Sequence, residues 1–146
     1  MVSEVLLAAI MFVESGTPPA GKPIPDGKAG EVGPLQIRQC VIDDVNETFH
    51  TNYTLEDARD YSKAADICIK YLNRYGTHYR LKEKREPSSQ VLARIWNGGP
   101  SGWKRVDTLI YWIKVQNRMA FLLQAQLKEI DPRYRVLLKA GQVNAS

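Results

Sequence analysis

Residues 5–16 have the sequence Val5-Leu6-Leu7-Ala8-Ala9-Ile10-Met11-Phe12-Val13-Glu14-Ser15-Gly16. Nine consecutive apolar residues in this segment predict a helix that is buried on all sides. Ser3 suits the N-cap of such a helix, and Gly16 suits the position just beyond its end. The sequence therefore predicts a central buried helix that ends at a single carboxyl group, that of Glu14.

The position of Glu14 gives its carboxyl group unusual electrostatics. The helix dipole disfavours a negative charge at a C-terminal end. Desolvation by Ile10, Met11 and Phe12 acts in the same direction, so we expect a raised pKa for Glu14. A carboxyl group that stays protonated near neutral pH is what a general acid requires. The alternative for Glu14 taken alone is a carboxylate just past the helix that points into water.

The composition is that of a soluble globular protein. The chain has 146 residues, of which 44% are hydrophobic and 25% charged, which predicts one domain with one core. Residues 1–50 carry three basic and seven acidic side chains (net −4), and residues 51–146 carry seventeen and nine (net +8). The basic part suits an anionic partner such as nucleic acid, a lipid surface or an acidic cell-wall polymer. A solvated basic face without a specific partner is the alternative.

The cysteines and histidines predict no metal or cofactor site. Cys40 and Cys68 fall in apolar periodic segments, so we expect buried free thiols, with a single disulfide as the alternative outside the cell. His50 and His78 are isolated from other ligand-type residues. The chain has no run of about eighteen apolar residues, so no membrane-spanning helix is expected. Because Glu4 precedes the apolar N-terminal run, we expect the first helix of the fold there and not a signal peptide.

The first half of the chain alternates loops and helices. Residues 17–34, rich in proline and glycine, predict a long loop with room for a tight hairpin at Asp26-Gly27. A short helix is expected up to Phe49. Thr54 is expected to cap an amphipathic helix that Gly76 ends, with its tyrosines in the core. The basic run 78–85 is interpreted as a solvated loop, too short and too diluted by acids to indicate nucleic-acid binding.

The second half predicts two more helices. One opens at Ser88 or Ser89 and stops at Asn97-Gly98-Gly99-Pro100. Asp107 is expected to cap a longer helix up to Ile130, in which residues 119–130 form a separable amphipathic piece. Residues 141–146 are expected to fray. The pattern predicts a mainly α fold, with a domain at 1–132 and a C-terminal tail at 133–146.

Three motifs occur in order along the chain: Glu14-Ser15, Gly33-Pro34-Leu35-Gln36-Ile37, and Arg94-Ile95-Trp96-Asn97-Gly98-Gly99-Pro100. This order resembles the soluble lytic transglycosylase and goose-type lysozyme group, whose members cleave bacterial peptidoglycan. The resemblance covers about residues 4 to 117. It implies a lysozyme-like, mostly helical domain with two lobes and a cleft between them, in which the first helix is followed by a Gly/Pro-rich loop or small hairpin.

The resemblance also implies roles for individual residues. Glu14 is expected to be the catalytic acid, and Ser15 to support it or the substrate by hydrogen bonding. Gln36 is expected to line the cleft near the scissile bond. Asn97 is expected to contact a sugar from the opposite wall. Tyr111 lies where the group often has an aromatic residue that packs toward the catalytic glutamate.

The chain departs from the group's pattern at several positions. Pro34 and Leu35 replace the usual Leu-Met pair, and Trp96 replaces the usual tyrosine. Trp96 suits sugar stacking or the cleft floor but lacks the hydroxyl group. The loop after the first helix differs from that of goose-type lysozyme, so alignment assigns no second catalytic acid. The loop holds two candidates for such an acid, Asp26 and Glu31.

The sequence thus predicts an enzyme that cuts the β-1,4 bond between N-acetylmuramic acid and N-acetylglucosamine of peptidoglycan glycan strands. A lytic transglycosylase with Glu14 as its single catalytic carboxyl is favoured, and neither Asp26 nor Glu31 is then expected to be essential. A hydrolytic lysozyme with a second carboxylate is the alternative. A lysozyme-like module that binds glycan without cutting it is a third possibility. No nucleic-acid partner is expected, and the chain suits a phage lytic protein or a domain of a secreted one.

Overall fold

The structure, a computed structural model, describes residues 2–130, which contain five α-helices and three short 3₁₀-helices. The α-helices are α1 (Glu4–Ser15), α2 (Gln39–Phe49), α3 (Tyr61–Glu83), α4 (Ser89–Gly98) and α5 (Leu109–Ile130). The 3₁₀-helices span Glu56–Arg59, Gly102–Lys104 and Val106–Thr108. The mainly α fold is confirmed. The proposed tail, 133–146, lies outside the described residues, as does the boundary at 132.

Helix α1 begins and ends where its sequence predicts. The Ser3 hydroxyl accepts a hydrogen bond from the Leu6 amide at 3.1 Å, and Gly16 closes the helix with φ +67° and an N–H bond to the Phe12 carbonyl. Ala9 and Ile10 are fully buried against the core. The expectation of burial on all sides is wrong for Phe12, which is 37% exposed because that face of α1 borders a cleft.

The loop 17–38 is held by a short backbone bridge and by a close approach to the 3₁₀-helix Glu56–Arg59. Val32 and Ile37 form an isolated antiparallel bridge, with both N–H···O distances at 2.9 Å. The reversal lies in the segment between them. No hairpin forms at Asp26-Gly27, and the turn there comes just after it, closed by a hydrogen bond from the Gly30 amide to the Gly27 carbonyl. Gly33 has φ +77°, and a Cβ there would lie 1.8 Å from the Ala58 carbonyl oxygen. Only glycine fits both conditions.

The start of the long central helix differs from the prediction. Thr54 and Asp57 do cap each other: the Asp57 carboxylate accepts from the Thr54 amide at 2.9 Å, and the Thr54 hydroxyl accepts from the Asp57 amide at 3.3 Å. They open only the 3₁₀-helix Glu56–Arg59. Asp60 then caps α3 by accepting from the Lys63 amide. Two capping signals six residues apart therefore open two elements in place of one.

The prediction that Gly76 ends this helix is wrong, because α3 continues to Glu83. A Cβ at Gly76 would lie 3.3 Å from both Leu92 and Pro87, so the glycine lets the start of α4 approach α3 closely. The basic run 78–85, interpreted as a solvated loop, is largely the last part of the same helix. Tyr79 from this run is buried.

The last two helices follow the predicted pattern with one change. The Ser88 hydroxyl accepts from the Val91 amide, and α4 runs to Gly98. Asp107 is not the cap of α5, because its carboxylate pairs with Arg105. Residues 119–130 continue α5 without a break.

The core lies where α1, α3, α4 and α5 meet the loop 17–38. Its largest fully buried side chains include Leu6, Ile10, Leu35, Ile37, Ile67, Leu72, Leu92, Ile95 and Val115. Both cysteines are free thiols. Cys68 is buried as expected, but the expectation is wrong for Cys40, which is exposed because its face of α2 borders the cleft. None of the described helices combines the length and apolarity needed to cross a membrane.

Candidate active site

Glu14 occupies the last turn of α1, half-buried, and its carboxyl group has one direct partner from the other wall. The Tyr111 hydroxyl donates a hydrogen bond to Glu14 Oε1 at 2.8 Å. Burial raises the pKa of the Glu14 carboxyl above its usual value, and the nearby negative charge of Glu31 adds to this. The hydrogen bond from Tyr111 and the nearby Trp96 side chain lower the same pKa but do not cancel the effect of burial.

Glu14 lies at the junction of two arms of an open cleft, and Gln36 lies there with it. The first, the α5 arm, is a cavity of about 840 Å³ between the end of α1, Pro25 of the loop and one face of α5. The second, the Trp96 arm, is a cavity of about 530 Å³ between the loop, the start of α2 and the end of α4. A chain-like ligand that ran through both arms would pass the Glu14 carboxyl group.

Gln36 and Asn97 line the Trp96 arm from different walls, Gln36 from the loop and Asn97 from the end of α4. The Gln36 amide donates to the Gly33 carbonyl at 2.9 Å and to the Pro25 carbonyl at 3.5 Å. These bonds hold Gln36 at a φ of +49°, rare for a residue with a side chain. Trp96 lines the same arm, where its ring is packed edge-on against another aromatic ring.

Ser15 is near the acid but does not bond to it. Its hydroxyl lies 2.8 Å from the Pro34 carbonyl and 3.1 Å from the Met11 carbonyl. The hydroxyl therefore ties the loop 17–38 to the end of α1. In this arrangement Ser15 supports Glu14 through the position of the loop and not by a direct hydrogen bond.

The loop 17–38 carries two acidic residues, Asp26 and Glu31, and each is bound by an arginine. Arg59 binds Asp26 through two hydrogen bonds, at 2.7 and 3.1 Å, and holds the pKa of that carboxyl below its usual range. Glu31 accepts from its own backbone amide, from Ala29 and from Arg38, and these bonds lower its pKa as well. Glu31 lines the Trp96 arm together with Glu14.

Several cleft residues were not found from the sequence. Tyr71 was assigned to the core but also lines the Trp96 arm, as do Arg38 and Arg105. The α5 arm contains a stripe on α5 that was missed, Lys114, Asn117, Arg118 and Phe121. Their i, i+3, i+4, i+7 spacing was the available signal, since it places them on one face of the helix. The sequence alone did not indicate that this face borders the cleft.

The described residues hold no cluster of histidine, cysteine, aspartate or glutamate suited to a metal ion. The chemistry available at the junction is that of one carboxyl group with a raised pKa, Glu14, near one carboxylate with a lowered pKa, Glu31. Such a division is typical of sites that use one carboxyl group as an acid and another as an anion.

No protein-family model matches the chain. A lysozyme of Magallana gigas is 31% identical over 118 residues, which cover 80% of this chain and 80% of that protein. The crystal structure of Tapes japonica lysozyme superposes with a TM-score of 0.63 at 27% identity, covering 78% of this chain and 88% of that one. A chain in the crystal structure of Aeromonas hydrophila PliI in complex with Meretrix lusoria lysozyme superposes with a TM-score of 0.63 at 26% identity. The match covers 80% of this chain and 89% of that one.

The helical fold with its cleft is therefore that of a lysozyme-like domain. The extent and identity of the match to the Magallana gigas protein go further: the chain belongs to the lysozyme family. The narrower resemblance to lytic transglycosylases and goose-type lysozymes stays a prediction.

Proposed function

We propose that this protein is a glycosidase that cleaves the β-1,4 bond between N-acetylmuramic acid and N-acetylglucosamine in peptidoglycan, with Glu14 as its general acid. The observation that carries the proposal is the Glu14 carboxyl group itself. It has a raised pKa, is held by Tyr111, and lies at the junction of both cleft arms in a chain of the lysozyme family. A carboxyl group in this state can protonate the glycosidic oxygen as the bond breaks.

We favour hydrolysis over transglycosylation, because the similar proteins are lysozymes. A hydrolase needs a second carboxylate, either to activate water or to act as a nucleophile. Arginine contacts lower the pKa values of Asp26 and Glu31, which favours their ionised forms, whereas burial raises the pKa of Glu14. Glu31 shares the Trp96 arm with Glu14, while Asp26 follows Pro25 of the α5 arm. Glu31 is the stronger candidate, because its charge acts on the Glu14 carboxyl group, whereas Asp26 lines neither arm.

A lytic transglycosylase remains the second candidate, because both loop carboxylates are already bound by arginines. In that reaction Glu14 alone acts. It first gives its proton to the glycosidic oxygen and then accepts one from the 6-hydroxyl of the muramic sugar, whose oxygen closes onto C1. A glycan-binding module without activity is disfavoured, because binding alone does not require a half-buried carboxyl group with a raised pKa at the junction of the two arms.

The test is digestion of purified peptidoglycan, with the products analysed by mass spectrometry before and after borohydride treatment. Hydrolysis gives reducible muramic ends, whereas transglycosylation gives 1,6-anhydro ends that are lighter by one water and resist reduction. Glu14→Gln should lose at least about 100-fold in activity, since an amide cannot donate the proton. A folded Glu14→Gln protein that keeps most of its activity would contradict the assignment of the acid.

The loop carboxylates are tested as a matched pair, Asp26→Asn and Glu31→Gln. In a hydrolase, one of the two variants should lose at least about 100-fold while the other keeps substantial activity. If both keep substantial activity and the products carry anhydro ends, the single-acid mechanism is correct.

A further inference from the structure

The α5 arm carries two positive charges that no described residue neutralises. Lys114 and Arg118 lie one turn apart on the face of α5 that borders the cavity. Within residues 2–130, neither side chain forms an ion pair, whereas most of the other arginines near the cleft are paired or bonded. Of the described residues that line this arm, Glu14 alone is acidic, so the two cations outnumber it. This arm is therefore electropositive.

The position of Arg118 is fixed by two aromatic rings. Its guanidinium carbon lies 3.7 Å from the ring centroid of Phe12 and 4.5 Å from that of Phe121. Its Nε atom is buried and has no hydrogen-bond partner in the described part of the chain. Buried donors of this kind are rare in folded proteins and call for an explanation. Stacking between rings holds a guanidinium in one place without neutralising its charge, which suits it to a negatively charged ligand.

The two rings that hold Arg118 also present apolar surface in the arm. Phe12 is 37% exposed and Phe121 is 57% exposed. An occupant of the arm should therefore combine carboxylates with small apolar groups. A plain glycan of N-acetylglucosamine has no such carboxylates. The peptide stem that branches from the lactyl group of muramic acid has both, in its free carboxylates and its alanyl methyl groups.

We infer that the α5 arm binds the peptide stem of the muramic residue at the cleavage site, with Lys114 and Arg118 contacting its carboxylates. This inference rests on the proposed function, because a stem enters the arm only when the glycan passes Glu14. The continuity of the two arms at Glu14 and Gln36 places the stem beside the scissile bond. Stem recognition would make this site prefer peptide-bearing peptidoglycan over bare glycan.

The test is a binding measurement on the Glu14→Gln protein, so that cleavage does not enter. Three tetrasaccharide probes are compared by calorimetry: one with peptide stems, the same glycan trimmed by an amidase to leave lactyl groups, and chitotetraose. The ionic strength is kept at about 10 mM, where exposed charges are weakly screened. The stem-bearing probe should bind about tenfold more tightly than either of the others, as expected for charge-assisted hydrogen bonds.

Lys114→Glu, made in the Glu14→Gln background, should abolish this preference, because the exposed Lys114 is then replaced by a repelling charge. Lys128→Glu is the matched control, since it makes the same change on the same helix outside the arm, and it should leave the preference intact. Arg118→Gln should also reduce the preference, with its fold checked by thermal unfolding.

Equal affinity for the stem-bearing probe and chitotetraose would overturn the inference, and so would equal effects of the two lysine variants. Tight binding of the amidase-trimmed probe would assign the arm to the lactyl group and would overturn the stem assignment. Failure of the proposed function has a different signature. The wild-type protein would then cut no peptidoglycan, while the three probes would still decide what the arm binds.

Discussion

At the scale of single residues, the state of Glu14 is a balance between effects of opposite sign. Burial and the charge of Glu31 favour the protonated carboxyl group, while the hydrogen bond from Tyr111 favours the ionised form. The Tyr111 hydroxyl, buried and with a pKa raised by that burial, remains a donor at every pH of interest. Tyr111 therefore both positions the acid and limits how far its pKa rises.

Tyr111→Phe tests this balance. Loss of the hydrogen bond should raise the pKa of Glu14 further, so the alkaline limb of the pH–activity profile should move to higher pH. The acid also loses its anchor, and kcat should fall by about tenfold, the equivalent of about 1.4 kcal/mol. The measurement is the pH dependence of kcat on soluble peptidoglycan fragments. A profile that shifts to lower pH would contradict the assigned effect of the hydrogen bond.

At the scale of elements, the cleft depends on the loop 17–38 more than on any helix. The loop is joined to α1 through Ser15 and Pro34 and approaches the 3₁₀-helix Glu56–Arg59 at Gly33. The bridge between Val32 and Ile37 closes the loop on itself. It carries Gln36 and both candidate second carboxylates. A change that moves the loop therefore moves one whole wall of the site.

Gly33→Ala and Gly30→Ala separate two ways in which glycine serves this loop. Both residues have positive φ values, +77° and +82°, so both alanine variants incur backbone strain of about 1–2 kcal/mol. Only at Gly33 would the new methyl group also overlap backbone, the Ala58 carbonyl. Gly33→Ala should therefore lower the free energy of unfolding by clearly more than Gly30→Ala, as measured by urea denaturation. Equal losses would show that the close approach to Ala58 is unimportant.

Local signals predicted the elements that are specified locally. The caps Ser3 and Gly16 fixed α1, and Ser88 fixed the start of α4, because each acts within four residues of its own position. Gly76 misled the prediction because its purpose is to admit Leu92, a contact that only the tertiary fold creates. Cys40 was assigned to the core because an apolar neighbourhood in sequence does not specify which face of a helix is covered.

The candidate site was also predictable only in part. Motif order singled out Glu14, Gln36 and Asn97, and the structure places all three around one cleft, while their catalytic and binding roles stay predictions. The cationic residues of the α5 arm were not singled out from the sequence, because the packing of α5 against α1 is a long-range contact. Basic side chains on a helix look the same in sequence whether they face solvent or a ligand.

At the scale of the whole molecule, the state of Glu14 opposes stability. Its folded-state pKa is raised above the usual 4.5, so the proton is bound more tightly in the folded protein. The stability linked to that proton is complete below about pH 4.5 and is lost as the pH rises through the folded-state pKa. At pH values above the folded-state pKa, the half-buried Glu14 carboxylate therefore lowers the free energy of unfolding.

Glu14→Gln should remove this pH-dependent loss of stability. Glutamine is neutral at every pH, so the variant should melt at the same temperature as the wild type, or higher, near pH 7. The difference in melting temperature between variant and wild type should increase from about pH 4 to about pH 8. Thermal unfolding followed by circular dichroism measures it. A variant that is less stable near pH 8 than near pH 4, relative to wild type, would contradict the raised pKa.

The exposed thiol of Cys40 makes the cleft accessible to chemical labelling. Cys40 lines the Trp96 arm, whereas the other thiol, Cys68, is fully buried with a pKa raised by that burial. An alkylating fluorophore will therefore attach at one known place without any engineered cysteine. Its emission will report on whether the Trp96 arm is filled, and a bulky label there will block the arm from within.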